Sequence, residues 1–184
     1  MPEIEYVEDR MESEELLERL CPPVRNWFKD KFPDFTEPQK VAIPRILNGE
    51  HLLLCSPTGS GKTLTAFLTI IDDLVRRSLD GSLPDAVQCV YISPIKALAN
   101  DIEKNLMGPL GEIKERYLPS RAKEIKVGLR TGDTPQSERE KMLRKPPHIL
   151  ITTPESLGLG LASKRFRPIP VSYTHLTLPT TGDV

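Results

Sequence analysis

The stretch SPTGSGKT at residues 56–63 most constrains how this chain can fold. An apolar run at residues 52–55 precedes it, and helix-compatible residues follow from about Gly61. Glycines allow successive backbone N–H groups to curl around a phosphate, and the start of a helix adds partial positive charge. The pattern therefore predicts a strand, a phosphate-binding loop and a helix that together hold a nucleoside triphosphate.

Two residues at the end of this loop have the expected catalytic chemistry. We expect Lys62 to reach the β- and γ-phosphates and Thr63 to offer its hydroxyl to Mg²⁺ as a metal ligand. Ser56 stands where the usual pattern G-x-x-x-x-G-K-[ST] has glycine, so a chance glycine turn is the alternative interpretation. The predicted nucleotide-binding residues of the loop are Ser56, Thr58, Gly59, Ser60, Gly61, Lys62 and Thr63.

Length and composition are those of an ordinary globular domain. With 184 residues the chain can bury roughly 70% of its unfolded surface, so it needs neither disulfides nor a structural metal. Cys21, Cys55 and Cys89 are far apart, and we expect small buried side chains in a reducing compartment. No stretch approaches the ~20 apolar residues of a membrane span. We therefore expect a cytoplasmic protein with no membrane partner.

Charge is unevenly distributed along the chain. Residues 1–20 hold eight acidic side chains against two arginines, a net charge of −6, so the remainder carries about +5 by difference from −1. We expect residues 1–35 to form an acidic, helical N-terminal extension with a solvated face. The positive remainder permits nucleic-acid binding but does not demonstrate it.

Apolar runs alternate with helical patterns after residue 51. Strands are expected at residues 52–55, 87–93, 125–129 and 148–152, and helices at residues 61–78, 95–107 and 135–144. This alternation predicts an α/β fold with a parallel sheet and helices on both faces, which favours a ligand at the carboxyl ends of the strands. Earlier helices are expected near Ser13, from Pro22, and from Thr36 to Leu47, with Gly49 just past the last.

The segment Thr36-Glu37-Pro38-Gln39 resembles the adenine-recognising Q motif of superfamily 2 helicases. The amide of Gln39 carries a donor and an acceptor, and the edge of adenine offers both. The resemblance implies that Thr36 and Gln39 contribute to ATP binding, whereas the alternative is a surface glutamine on an amphipathic helix. Pro44 favours the resemblance, since a proline there costs a helix hydrogen bond and needs a reason.

Three segments at predicted strand ends resemble motifs of the same superfamily that contact nucleic acid, especially in its large helicase-related (Lhr-type) branch. They are YISPIKALAND at 91–101 for motif Ia, RTGDT at 130–134 for motif Ib, and TTPESL at 152–157 for the TPE-type motif. Each offers phosphate ligands, although singly such turns are common. The implied contacts to the sugar–phosphate backbone come from Ser93, Pro94, Lys96, Thr131, Gly132, Thr152, Thr153 and Pro154.

Taken together, the motifs resemble the first RecA-like lobe of a DEAD/DEAH-box-type helicase of the Lhr-like branch. The resemblance implies that residues 36–168 form a partial RecA-like P-loop ATP-binding domain of an ATP-dependent DNA or RNA helicase or translocase. It also implies ATP and Mg²⁺ as cofactors, and nucleic acid and a second RecA-like lobe as partners. Another P-loop ATPase, such as a transporter motor, and a strand-binding module without turnover remain as alternatives.

The last part of the chain departs from this family. The Asp-Glu box, an acid at a strand end that would hold Mg²⁺, does not occur between the TPE-type motif and residue 184. Residues 169–184 contain four threonines and no lysine or arginine, so we expect a non-native tail, with an edge strand as the alternative. An incomplete lobe that binds ATP without hydrolysing it is therefore expected.

Overall fold

A computed structural model describes residues 9–93 and 103–163 of the chain. These residues form two compact units, and each contains more than one stretch of the sequence. The first unit takes residues 9–76 and 105–119, and the second takes residues 77–93, 103–104 and 120–163. No helix in the described ranges is long and apolar enough to cross a membrane.

The first unit is helical. Its helices are α1 (Ser13–Arg19), α2 (Pro22–Lys31), α3 (Glu37–Leu47), most of α4 (Lys62–Asp80) and α5 (Gly108–Tyr117), and a π-helical turn at Glu103–Met107 leads into α5. The first three confirm the helices expected ahead of the phosphate loop. Prolines at the first positions of α2 and α3 start these helices without losing a hydrogen bond, because those N–H groups have no partner within a helix. Fully buried side chains of this unit include Leu16, Phe28, Ile43, Phe67 and Ile71.

A buried carboxylate joins α4 to the start of α2. Asp72, 1% exposed, accepts the backbone N–H of Cys21 at 2.6 Å and the Nε–H of Arg76 at 2.7 Å. Its negative charge meets the partial positive charge at the N-terminus of α2. Burial, together with this carboxylate, raises the pKa of the Cys21 thiol to about 12, so the thiol stays protonated.

Helices α2 and α5 are linked through Glu112. Its carboxylate accepts the indole N–H of Trp27 at 2.7 Å and the ammonium of Lys31 at 2.8 Å. Tyr117, at the end of α5, donates its hydroxyl to Asp30 of α2. These polar contacts fix α5 against a helix that lies 77 or more residues earlier in the chain.

The second unit contains a parallel sheet. Its strands are β1 (Cys89–Ile92), β2 (Val127–Arg130) and β3 (Ile149–Thr152), with β3 in the centre of the order β1-β3-β2. Every residue of β1 and β3 is buried, as near-continuous apolar strands require. Two helices complete the described part, α6 (Gln136–Arg144) and α7 (Pro154–Ala162). The predicted parallel sheet with helices is confirmed.

The strand expected at residues 52–55 is wrong. This segment forms no regular structure, Leu53 is 85% exposed, and Cys55 is exposed rather than buried. An apolar run predicts burial, but a strand also needs a neighbour to pair with its N–H and C=O groups. Within residues 9–93 and 103–163, no strand pairs with this segment. The other two cysteines, Cys21 and Cys89, are buried as expected.

Two helices were not expected from the sequence. No element was predicted for Gly108–Tyr117 or Pro154–Ala162. In both helices a proline occupies the first or second position, where it favours a helix start. Most of the helix expected at residues 95–107 falls outside the described residues, as does the tail at 169–184. The domain boundary expected at residue 36 stays a prediction.

Candidate nucleotide and nucleic-acid sites

The loop before α4 has the backbone that its glycines predict. Gly59 and Gly61 have φ angles of 80° and 89°, in the left-handed region that residues with a Cβ avoid. A Cβ at Gly61 would also lie 2.8 Å from Nε2 of Gln39. Helix α4 begins immediately afterwards at Lys62. The loop therefore turns sharply into a helix N-terminus, which is the arrangement that binds phosphate.

Lys62 bonds the loop's own backbone in this structure. Its ammonium donates to the carbonyl oxygen of Ser56 and, at 2.8 Å, to that of Pro57. The hydroxyls of Ser56 and Ser60 are 2.6 Å apart, and this hydrogen bond also joins the two ends of the loop. The contact of Lys62 with phosphate stays a prediction, and it requires the ammonium to leave these carbonyls.

Thr63 lies half-buried in the first turn of α4, next to Lys62. No group of three or more His, Cys, Asp or Glu side chains able to hold a metal occurs in the described ranges. A single hydroxyl fits Mg²⁺ only if the ion takes its other ligands from phosphate oxygens and water, which Mg²⁺ commonly does. The donor set is therefore compatible with Mg²⁺ that is bound together with a nucleotide.

Gln39 is joined to the phosphate loop through Thr36. The side chain of Gln39 is 3% exposed, and its Oε1 accepts the backbone N–H of Thr36 at 2.9 Å, which forms a capping box at the start of α3. The Thr36 hydroxyl donates to the carbonyl of Ser60 at 2.8 Å. The alternative of a surface glutamine is therefore wrong. The amide nitrogen of Gln39 lies next to Gly61, on the side where a Cβ of residue 61 would be.

Pro44 has a structural explanation that does not involve a nucleotide. A proline inside α3 leaves the carbonyl of Lys40 without its helical donor. The backbone N–H of Met11, from the segment before α1, donates to this carbonyl at 3.1 Å. Pro44 thus allows the N-terminal segment to bond to α3.

The sheet of the second unit brings three predicted contact segments to one edge. Ser93 follows β1, Thr131 follows β2, and Thr153 follows Thr152 at the end of β3, so all lie at the carboxyl ends of adjacent parallel strands. The N–H of Ser93 donates to the carbonyl of Thr152 at 3.1 Å. Pro94 and Lys96 fall outside the described residues.

The two threonines of the TPE-type segment use their hydroxyls internally. Thr152, 1% exposed, donates to the carbonyl of Arg130 at 2.7 Å. Thr153, 2% exposed, accepts the N–H of Ser156 at 3.3 Å and thereby caps α7, which begins at Pro154. Their contact with nucleic acid stays a prediction, and it requires these hydroxyls to leave their present partners.

Arg139 is a residue of this edge that the sequence did not single out. It lies in the first turns of α6 and donates to three carbonyl oxygens of the turn formed by residues 131–134. In the sequence it is one of several basic residues on a polar helix, and Arg144 on the same helix has the same side chain without such contacts. No spacing pattern distinguishes the two.

Comparison with known proteins gives a consistent result. The model of the DEAD/DEAH box helicase family matches residues 36–173. The chain is 48% identical over 168 residues to the ATP-dependent helicase Lhr-Core of Methanocaldococcus jannaschii, covering 90% of this chain and 20% of that protein. It is 44% identical over 151 residues to the Lhr helicase/uracil glycosylase of Escherichia coli, covering 79% of this chain and 10% of that protein.

Solved structures agree. The structure of Mycobacterium smegmatis helicase Lhr bound to ssDNA and AMP-PNP has a TM-score of 0.74 and 42% identity, covering 89% of this chain and 20% of that one. DEAD-box helicase Mss116, at 24% identity and a TM-score of 0.67 over 92% of this chain and 34% of that one, shares the fold. The RecA-like fold prediction is confirmed. The chain spans about a tenth to a third of the length of these proteins.

Proposed function

We propose that this chain, which belongs to the DEAD/DEAH box helicase family, is the ATP-binding lobe of an ATP-dependent nucleic-acid helicase or translocase of the Lhr-like branch. The observation that carries the proposal is the contact between the phosphate loop and the capping box of α3 through Thr36 and Gln39. This contact supports a site in which the amide of Gln39 recognises the base and the glycine turn binds the phosphates. The similarity to Lhr-Core proteins over most of the chain supports the branch.

The geometry of the loop supports binding of ATP by the first unit. The N–H groups that start α4 face the phosphates, and Lys62 moves from the Ser56 and Pro57 carbonyls to the β- and γ-phosphates. The Thr63 hydroxyl would hold Mg²⁺, which would offset phosphate charge. The adenine edge contacts the amide of Gln39, whose orientation the Thr36 N–H fixes.

The second unit is proposed to contact the sugar–phosphate backbone of a DNA or RNA strand. The carboxyl edge of its sheet gathers backbone donors and hydroxyls, which recognise phosphates without reading base sequence. The M. smegmatis Lhr structure contains ssDNA, which supports a single strand as partner. We also propose a second RecA-like lobe in the complete protein as a partner of this one. The proposed location of the protein is the cytoplasm.

Strand-stimulated hydrolysis of ATP by the complete protein tests the proposal. We expect ATP turnover to rise when single-stranded DNA or RNA is added, because a motor couples hydrolysis to the strand on which it acts. Phosphate release is measured at increasing strand concentration, with Lys62→Ala as the inactive control. Turnover that is independent of the strand favours another P-loop ATPase, and ATP binding without any turnover favours a binding module.

Base selectivity is expected to depend on Gln39. Replacing Gln39 with Ala removes about one amide hydrogen bond to adenine, worth roughly 0.5–1.5 kcal/mol, so ATP binding weakens about 2- to 12-fold while GTP and CTP binding change less. Loss of the capping box also costs about 0.5–2 kcal/mol of stability. Calorimetric titration with each nucleotide measures the difference.

The matched control for Gln39→Ala is Gln136→Ala, which removes an exposed glutamine from the start of α6. This variant should bind every nucleotide as the unaltered protein does. If Gln39→Ala weakens ATP, GTP and CTP equally, Gln39 serves only to cap α3, and the base-recognition role is wrong.

A further inference from the structure

Arg139 donates hydrogen bonds to three carbonyl oxygens of the turn that follows β2. Its Nε donates to Thr134 O at 2.8 Å, and its Nη2 donates to Thr131 O at 3.2 Å and to Gly132 O at 2.7 Å. The guanidinium is planar and its donors have fixed directions. Three backbone carbonyls that bond to this one side chain therefore have their peptide groups held in fixed orientations. The carbonyls of residues 131 and 132 therefore point towards α6.

The opposite face of the same peptide groups carries two N–H donors. In a trans peptide the C=O and N–H bonds point in opposite directions, so the N–H groups of Gly132 and Asp133 point away from Arg139. Both residues are exposed. In the part of the chain that the structure describes, neither N–H has a hydrogen-bond acceptor. Two adjacent backbone donors are thus directed to solvent at the carboxyl edge of the sheet.

The neighbouring donors of this turn are already used. The N–H of Thr131 donates to the Thr134 hydroxyl at 2.8 Å, and the N–H of Thr134 donates to the Thr131 carbonyl at 3.3 Å. Thr134 itself is buried. Of the predicted pair Thr131 and Gly132, only Gly132 therefore presents its N–H outward, and Asp133 joins it as a donor that the sequence did not indicate.

We infer that Arg139 is a positioning residue for nucleic-acid binding, because it orients the N–H groups of Gly132 and Asp133 to bind one phosphate group of the strand. The inference rests on the strand contact proposed above and specifies the atoms that make it. Adjacent N–H groups that face the same way form a concave site for an anion, and backbone N–H groups are common phosphate ligands. The bound phosphate carries no base information, so the contact is independent of sequence.

The charge around the turn supports a phosphate. Arg130 precedes the turn, and its pKa is lowered by burial and by repulsion from the nearby Arg139 guanidinium. Two cationic groups are therefore close together here. The exposed carboxylate of Asp133 opposes them, and it lies on the residue whose N–H is to donate. Removal of this carboxylate should strengthen the binding of a phosphate at that N–H.

Arg139→Lys and Arg139→Gln test the role in the complete protein, with Arg144→Lys and Arg144→Gln as matched controls on the same helix. Arg144 is largely exposed and lies 3.8 Å from Glu140, away from the turn. Affinity for a fluorescent single strand of fixed length is measured by anisotropy. We expect both Arg139 variants to bind about 5- to 15-fold more weakly. This is less than the roughly 10- to 150-fold loss for removing hydrogen bonds to a charged phosphate, because the two N–H groups remain and only their orientation is lost. Both Arg144 variants should stay within about 2-fold, as exposed charges do.

The lysine variant separates positioning from charge. Lysine keeps the positive charge but cannot hold three carbonyls in a fixed fork. Full binding by Arg139→Lys, or equal binding by the Arg139 and Arg144 variants, would overturn the inference. If the unaltered protein does not bind a strand at all, the proposed function is contradicted first and the inference fails with it.

Asp133→Asn supplies a test that leaves the Arg139 contacts in place. It keeps the N–H and removes one negative charge close to the phosphate, so we expect about 3- to 5-fold tighter strand binding at low salt, and less at high salt. The amide resonance of Gly132 in ¹⁵N-glycine-labelled protein should also shift on strand addition, and this shift should be lost in Arg139→Lys. Unchanged affinity in Asp133→Asn, or a Gly132 resonance that ignores the strand, contradicts the inference.

Discussion

Replacing Lys62 with Ala is expected to weaken ATP binding roughly 10- to 150-fold, because it removes charge-assisted hydrogen bonds worth about 1.5–3 kcal/mol. The ammonium is a point charge at the start of α4, where the helix N-terminus also favours anions. Isothermal titration calorimetry with ATP and ADP measures the loss. Because Lys62 is proposed to contact the phosphates and not the base, the binding of ATP, ADP and GTP should be weakened alike.

The carbonyl contacts of Lys62 determine where in this range the result falls. Without a nucleotide, the ammonium already bonds the carbonyls of Ser56 and Pro57. The measured loss is the difference between these bonds and those to phosphate. Lys29→Ala, which removes an exposed lysine of α2, controls for net charge and should bind normally. An unchanged affinity in Lys62→Ala would show that the loop is not a phosphate site.

Replacing Asp72 with Ala is expected to cost about 3 kcal/mol of unfolding free energy, the lower end of what breaking a buried ion pair costs. The change leaves the N–H of Cys21 without an acceptor and Arg76 without its carboxylate. Arg76 is about half exposed, so water can solvate its charge, and this limits the loss. Urea unfolding followed by circular dichroism measures the change.

A milder substitution and a surface control make the Asp72 result specific. Asp72→Asn keeps an oxygen for the Cys21 N–H but loses the charge, so its cost should fall between those of Asp72→Ala and the unaltered chain. Glu18→Ala removes an exposed carboxylate of α1 and should change stability by less than about 0.5 kcal/mol. If Asp72→Ala unfolds at the same urea concentration as Glu18→Ala, the carboxylate does not stabilise α2.

The features that could be predicted from the sequence depend on interactions between residues that are close together in the chain. Gly59 and Gly61 occupy conformations that only glycine adopts easily, and Thr36 starts α3 as its N-cap. Such features depend on neighbours in the chain, so a sequence reveals them. The parallel sheet followed in the same way from short apolar runs separated by helical patterns.

The features that could not be predicted from the sequence depend on contacts between residues that are far apart in the chain or lie in differently folded segments. Leu53 lies in an apolar run, but whether it enters a sheet depends on a strand elsewhere that must pair with it. The bond from Met11 that explains Pro44, and the three carbonyls held by Arg139, likewise depend on how distant or differently folded segments meet. Side chains with several possible partners give no sequence signal for the one they use.

The discontinuity of the first unit constrains how the protein can fold during its synthesis. Trp27 bonds Glu112 across 85 residues, and β1 of the second unit lies in between. Contacts of such long range slow folding, because the intervening chain must be confined before the contact forms. The ribosome has to translate the phosphate loop, α4 and β1 before α5 exists to cover Trp27. During that interval the indole lacks its partner, and a nascent chain arrested before Glu112 should engage chaperones that bind exposed aromatic surface.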